Sequence, residues 1–145
     1  MSFDVLFNQF LSGIARGSLL FLVASGLSLT FGVLRVLNFA HGSLYMLGAF
    51  LSYSIWKWLL IPVYGFYVAT LLSALVIAGI GLLIEYTILR RLYARGWPEQ
   101  LLATYALILI ITDIVKWFWG GEFLSIPRPE PFTKAVFLFG FPFPS

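Results

Sequence analysis

From Phe66 to Ile84 the chain runs without a single charge or proline. A helix of that length, rising about 1.5 Å per residue, reaches across the roughly 30 Å hydrocarbon core of a bilayer. Helical backbone also satisfies its own amides, which lipid demands of any segment that crosses it. A soluble chain would have to bury such a stretch in a large core. Here 145 residues are 61% hydrophobic and only 10% charged, too little polar surface to enclose one. Lipid must cover what the chain cannot, and the expected fold is all-α, a polytopic membrane helix bundle.

Four segments have the composition of membrane helices, at about 11–34, 43–60, 65–85 and 101–119, and make residues 1–119 a transmembrane helical region. The first is interrupted early by Arg16, whose stem can snorkel. The second is short and reaches Lys57, and the fourth carries Asp113 and Lys116. These two make the bundle one of about four transmembrane or partly re-entrant helices. Prolines at 127, 129, 131, 142 and 144 exclude a helix from residues 120–145, which read as a Pro-rich external loop. The first charge is Asp4 and no basic segment precedes the apolar pattern, so the start reads as mature protein, not a cleaved signal.

The densest basic cluster, Arg90, Arg91 and Arg95, marks its loop as cytoplasmic, and Arg35 falls on the same side. That orientation puts the N-terminus and the Pro-rich tail outside, with Lys57, Lys116, Arg128 and Lys134 against the trend. Trp56, Trp58, Tyr64 and Tyr67, and Trp97, Trp117 and Trp119, flank segments as interfacial anchors do. A net charge of +3, dispersed, gives no nucleic-acid footprint. With no Cys and one His, disulfide and thiol chemistry are excluded and no N/S metal set can be assembled, so no cofactor or metal is expected.

Membrane helices pack through small residues that let backbones approach. In the first segment Ser18, Ser25, Ser28 and Gly32 fall within one arc, and in the third Thr70, Ala74, Ala78 and Gly81 do so, with Glu85 extending the stripe. Both are expected packing faces. Glu85 is expected to pair with Arg90 or Arg91, and Asp113 with Lys116 at i, i+3. Paired charges lower the cost of insertion, about 2.5 to 3.5 kcal/mol for a lone central charge.

Between the first two helices Asn38, Phe39, Ala40, His41, Gly42 and Ser43 interrupt the apolar stretch, and Leu44, Tyr45, Met46, Leu47, Gly48 and Ala49 follow at once. Two readings stand. In one, Asn38, His41 and Ser43 satisfy non-helical backbone that lines a cavity at membrane depth, with the restarting helix aiming its positive end at a substrate carboxylate. In the other, the run is a cytoplasmic turn with Asn38 or Ser43 as an N-cap. Spacing alone does not choose between them. His41 and Ser43 at i, i+2 do not face each other on a helix, which argues against a hydrolase, and no catalytic residue is assigned.

The stretch from Ala24 to Phe50, ASGLSLTFGVLRVLNFAHGSLYMLGAF, resembles the N-terminal signature of the branched-chain amino acid permeases of ABC importers. The likeness continues at Ile84 and Glu85 with the basic loop after them, at Leu101 to Thr104, at Asp113 to Lys116, and at Trp119 and Gly120. Arg90 and Arg91 stand where the family often has Arg-Pro. The resemblance implies a permease subunit in the inner (plasma) membrane of a prokaryote, with a substrate pathway past Asn38, His41, Gly42, Ser43 and Tyr45. It implies as partners a second homologous permease subunit, two ATP-binding subunits and an external solute-binding protein. ATP hydrolysis would lie on those partners, since no Gly-rich phosphate loop ending in Lys-Ser or Lys-Thr occurs here. Family members are longer, so the chain is expected to be the N-terminal half of a larger permease fold. A permease for urea or short amides is one alternative, and a small oligomeric channel or inactive permease fragment is another.

Overall fold

A computed structural model describes residues 3–34, 38–59, 64–122, 124–126, 137–138 and 141–142. Arg35, Arg128 and Lys134, on which part of the expected orientation rests, lie outside the described residues, as do the prolines at 127, 129, 131 and 144. The bundle consists of α1 (Phe3–Leu34), α2 (His41–Leu59), α3 (Gly65–Ile84), a π-helical turn (Glu85–Leu89), α4 (Arg90–Leu92) and α5 (Trp97–Trp119). Two short strands, β1 (Phe137–Leu138) and β2 (Phe141–Pro142), pair antiparallel with Leu138 opposite Phe141.

Among the described residues three helices are long and apolar enough to cross a membrane: Val5–Val33, Gly65–Leu92 and Trp97–Trp119. α2 is not one of them. α1 starts at Phe3, ahead of the apolar run near Leu11, because Arg16 ends a hydrophobic count without breaking a helix, Arg being a good helix former. α5 starts at Trp97, ahead of Leu101. Gly96 is extended there, and Pro98 occupies a first-turn position whose amide has no helical partner to lose.

α2 and α3 form the main interface, and small residues make it. Gly65, Ala69 and Ser73 are buried at i, i+4 and i+8 on α3, and a Cβ added to Gly48 on α2 would stand 3.3 Å from the Ile77 side chain. The expected stripe lies one residue round: Thr70, Ala74 and Ala78 are exposed and Gly81 is half-buried. Small residues recur every fourth position on both faces of α3, so spacing could not select between them. On α1 the expected face is exposed too, at Ser18, Ser25, Ser28 and Gly32. The Ser18 and Ser25 hydroxyls donate to the Ile14 and Leu22 carbonyls of their own helix, each at 2.9 Å, and so need no neighbour. The half-buried residues of that part of α1 are Val23, Gly26, Leu27 and Thr30 instead.

α5 joins through an apolar cluster of Leu47, Ile111 and Val115. The Trp119 indole N–H donates to Ser54 Oγ at 2.6 Å, and its ring lies 5.6 Å from that of Phe50. Trp119 thus ties α5 to α2 where an interfacial anchor was expected, while Trp58, Trp97 and Trp117 are exposed as anchors are. These contacts advance along both helices in the same sense, so α2 and α5 run parallel. At about 1.5 Å per residue, Ile111 stands roughly 21 Å beyond the start of α5, but Leu47 only roughly 9 Å beyond the start of α2. The first residue of α2 is therefore set roughly 12 Å along the bundle from the first residue of α5.

Candidate functional site

That displaced start of α2 is where the polar run sits. Asn38 Oδ1 accepts the Ala40 N–H at 3.1 Å, an Asx turn that fixes the chain two residues ahead of the helix. The Ser43 hydroxyl donates to the Ala40 carbonyl at 2.8 Å, and that carbonyl also receives the Leu44 N–H at 3.0 Å. Ala40 is 1% exposed, so its amide and carbonyl have no access to solvent and these bonds discharge a cost of about 1–3 kcal/mol per unmet group. Asn38 and Ser43 are engaged with the turn's own backbone.

His41 is placed differently. Its imidazole lies against α1 at Gly26, where an added Cβ would overlap the ring, 2.8 Å from Cε1. An alanine there would have to push the far end of the ring aside. Gly42 is exposed, with open space where a Cβ would be. Tyr45 is also exposed and faces a cleft of about 360 Å³ lined by Arg16, Leu19, Leu20 and Val23 of α1. The structure thus gathers Asn38, Ser43 and Ala40 into one turn, seats His41 on α1, and leaves Tyr45 one helical turn further on.

The charges expected to pair do not. Among the described residues there is no ion pair, neither between Glu85 and Arg90 or Arg91 nor between Asp113 and Lys116. In the first case the Arg90 guanidinium is turned to the Tyr86 ring, 5.7 Å from its centre. The Tyr93 hydroxyl arrives instead and donates to Glu85 Oε1. In the second case both side chains are exposed, with Lys116 along a cleft beside α2.

Tyr93, just past the end of the span, was not singled out from sequence, nor was Gln100. The buried Gln100 amide donates to the Leu92 and Arg95 carbonyls at 3.3 and 3.4 Å and braces the basic loop from within. Desolvation, the hydrogen bond to Glu85 and the Glu85 charge push the Tyr93 phenol from 10.0 up to about 12. A raised folded-state pKa means that the neutral phenol stabilises the fold fully below pH 10 and that this support is lost as pH rises through about 12. In an ultraviolet titration Tyr93→Phe should remove a phenolate step near pH 12, and Glu85→Gln should move that step downward by deleting the acceptor's charge. An unchanged titration in both variants would contradict the contact.

Compared with known proteins, residues 9–143 match the family described as branched-chain amino acid transport system, permease component. The high-affinity branched-chain amino acid transport system permease protein LivH of Salmonella typhimurium is 38% identical over 48 residues, 33% of this chain and 16% of LivH. LivH of Escherichia coli gives the same figures. BraD of Pseudomonas aeruginosa, named as a permease protein of the same kind of system, is 36% identical over 46 residues, 32% of this chain and 15% of BraD. The matched stretch thus covers a minor part of each curated relative. No solved structure matches the chain.

Proposed function

The chain belongs to the branched-chain amino acid transport permease family, and we propose that it lines part of the translocation pathway of an ATP-driven importer for branched-chain amino acids. The family is one of membrane transport components, not enzymes, and three membrane-length helices make this a multi-pass membrane protein. On this reading residues 1–119 are the transmembrane region and 120–145 an external loop, in the inner membrane of a prokaryote. ATP hydrolysis belongs to two separate subunits, a second permease completes the pathway, and an external binding protein delivers the solute.

The observation that carries the reading is the turn that opens α2. Set roughly 12 Å along the bundle from the start of α5, it fits a helix starting inside a membrane, where non-helical backbone survives only when protein satisfies it. Asn38 and Ser43 supply that satisfaction, and they free His41, Gly42 and Tyr45 to border the pathway. Substrate would pass this turn as the helices rock between outward and inward states.

His41→Ala tests it. Radiolabelled L-leucine uptake by cells carrying the protein with its partner subunits should fall while the amount of assembled complex stays normal. A parallel fall in assembly and uptake would assign His41 to the seat on α1 alone. Normal uptake at normal assembly would remove the turn from the pathway altogether.

A further inference from the structure

The cleft faced by Tyr45 has a charge at one end and hydrocarbon along its length. Residues 17–34 carry no charge. At about 1.5 Å per residue they extend roughly 27 Å, close to the roughly 30 Å of a hydrocarbon core. Arg16, immediately before them, therefore stands at the edge of that core, at the depth of lipid headgroups. Leu19, Leu20 and Val23 follow at i+3, i+4 and i+7 on the same helix face and carry the stripe roughly 10 Å further in. His41 rests on Gly26, roughly 15 Å along α1 from Arg16, while Tyr45 borders the stretch from Arg16 to Val23. α2 thus starts near mid-membrane and runs back toward the Arg16 side, antiparallel to α1. Between the two helices lies a groove of about 360 Å³, with Arg16 at its mouth and Tyr45 as its far wall.

Leu19, Leu20 and Tyr45 are each more than half exposed, so the groove opens sideways to the bilayer. No acidic side chain among the described residues lines it. A free anion would reach Arg16 and leave the apolar stripe bare, and a neutral hydrocarbon would cover the stripe without using the charge. A molecule with an anionic head and a hydrocarbon tail matches both, in the order and at the depth at which a bilayer presents them. A zwitterionic headgroup carries its own ammonium beside the phosphate, so the lone guanidinium favours a headgroup of net negative charge. We propose that this groove binds an anionic phospholipid, its phosphate on Arg16 and one acyl chain along Leu19, Leu20 and Val23 against Tyr45. The lipid completes an interface between α1 and α2 that side chains alone leave open.

Photoactivatable lipids test it. The full chain is placed in phosphatidylcholine nanodiscs that contain a minor share of diazirine-acyl phosphatidylglycerol or, separately, of diazirine-acyl phosphatidylcholine. After irradiation, adducts are located by peptide mass spectrometry. Leu71 and Leu75, exposed on α3, report the bulk lipid. Relative to them, adducts at Leu19, Leu20, Val23 and Tyr45 should favour phosphatidylglycerol roughly fivefold, the attraction of one basic residue for an anionic headgroup. Arg16→Gln should bring that preference to about one and Arg16→Lys should keep most of it, with unchanged adducts on α3 showing that both variants are folded. Equal labelling of the groove by the two lipids, or a preference that survives Arg16→Gln, would overturn the site. Adducts on α3 with none in the groove would overturn it as well, by showing that protein covers the stripe.

Discussion

Gly26→Ala should lower leucine uptake about as far as His41→Ala does, and the double variant Gly26→Ala, His41→Ala should be no worse than either single one. The added methyl occupies the space of the imidazole, so the first substitution acts by moving His41. Two terms compete. Alanine gains about 1 kcal/mol of helix propensity over glycine, while overfilling a packed contact costs about 1 to 3 kcal/mol. The ring's far end can swing aside, which keeps the alanine variant folded and makes the loss functional. Gly26→Leu exceeds what the ring can yield and should separate α1 from α2, with assembled complex reduced several-fold on immunoblots. Additive losses in the double variant would show that Gly26 and His41 act independently.

Ala69→Leu should destabilise the bundle by about 1 to 3 kcal/mol or more, the cost of forcing extra methylenes into a closed interface. Ala69 is 0% exposed on the helix face that carries Gly65 and Ser73. Its neighbour in sequence supplies the control: Thr70→Leu changes an exposed position and should leave stability within about 0.5 kcal/mol. Thermal unfolding in detergent micelles separates them. Equal shifts would mean that the face through Thr70, Ala74 and Ala78 is also packed.

How much of this was written in the sequence depends on how many answers each pattern allowed. The unbroken run from Phe66 to Ile84 allowed one, and it is a helix. Small residues every fourth position on α3 allowed two faces, and a rotation of one residue decides between them. Position along the chain offered Glu85 two basic partners within a turn or two, and its side chain meets the Tyr93 hydroxyl instead. The Asn38 to Ser43 run was visible as polar residues in an apolar context, but its hydrogen bonds join atoms whose directions no spacing rule provides. A glycine inside a helix costs about 0.5 to 1 kcal/mol relative to alanine, but Gly13, Gly17 and Gly32 of the same helix meet nothing within 4 Å, so the pattern did not pick out Gly26 as the one on which His41 rests.

The ties between helices are unequal, and the inequality has a kinetic meaning. Parting α2 from α5 must break the Trp119 to Ser54 hydrogen bond, separate the Phe50 and Trp119 rings and open the Leu47, Ile111 and Val115 cluster in one event. Sliding α1 along α2 has fewer contacts to break, chiefly the imidazole on Gly26 and the Tyr45 side of the cleft lined by Leu19, Leu20 and Val23. The second barrier is the lower, so a conformational cycle built on this scaffold would run its fast step at α1 and carry the other helices as a single slow body.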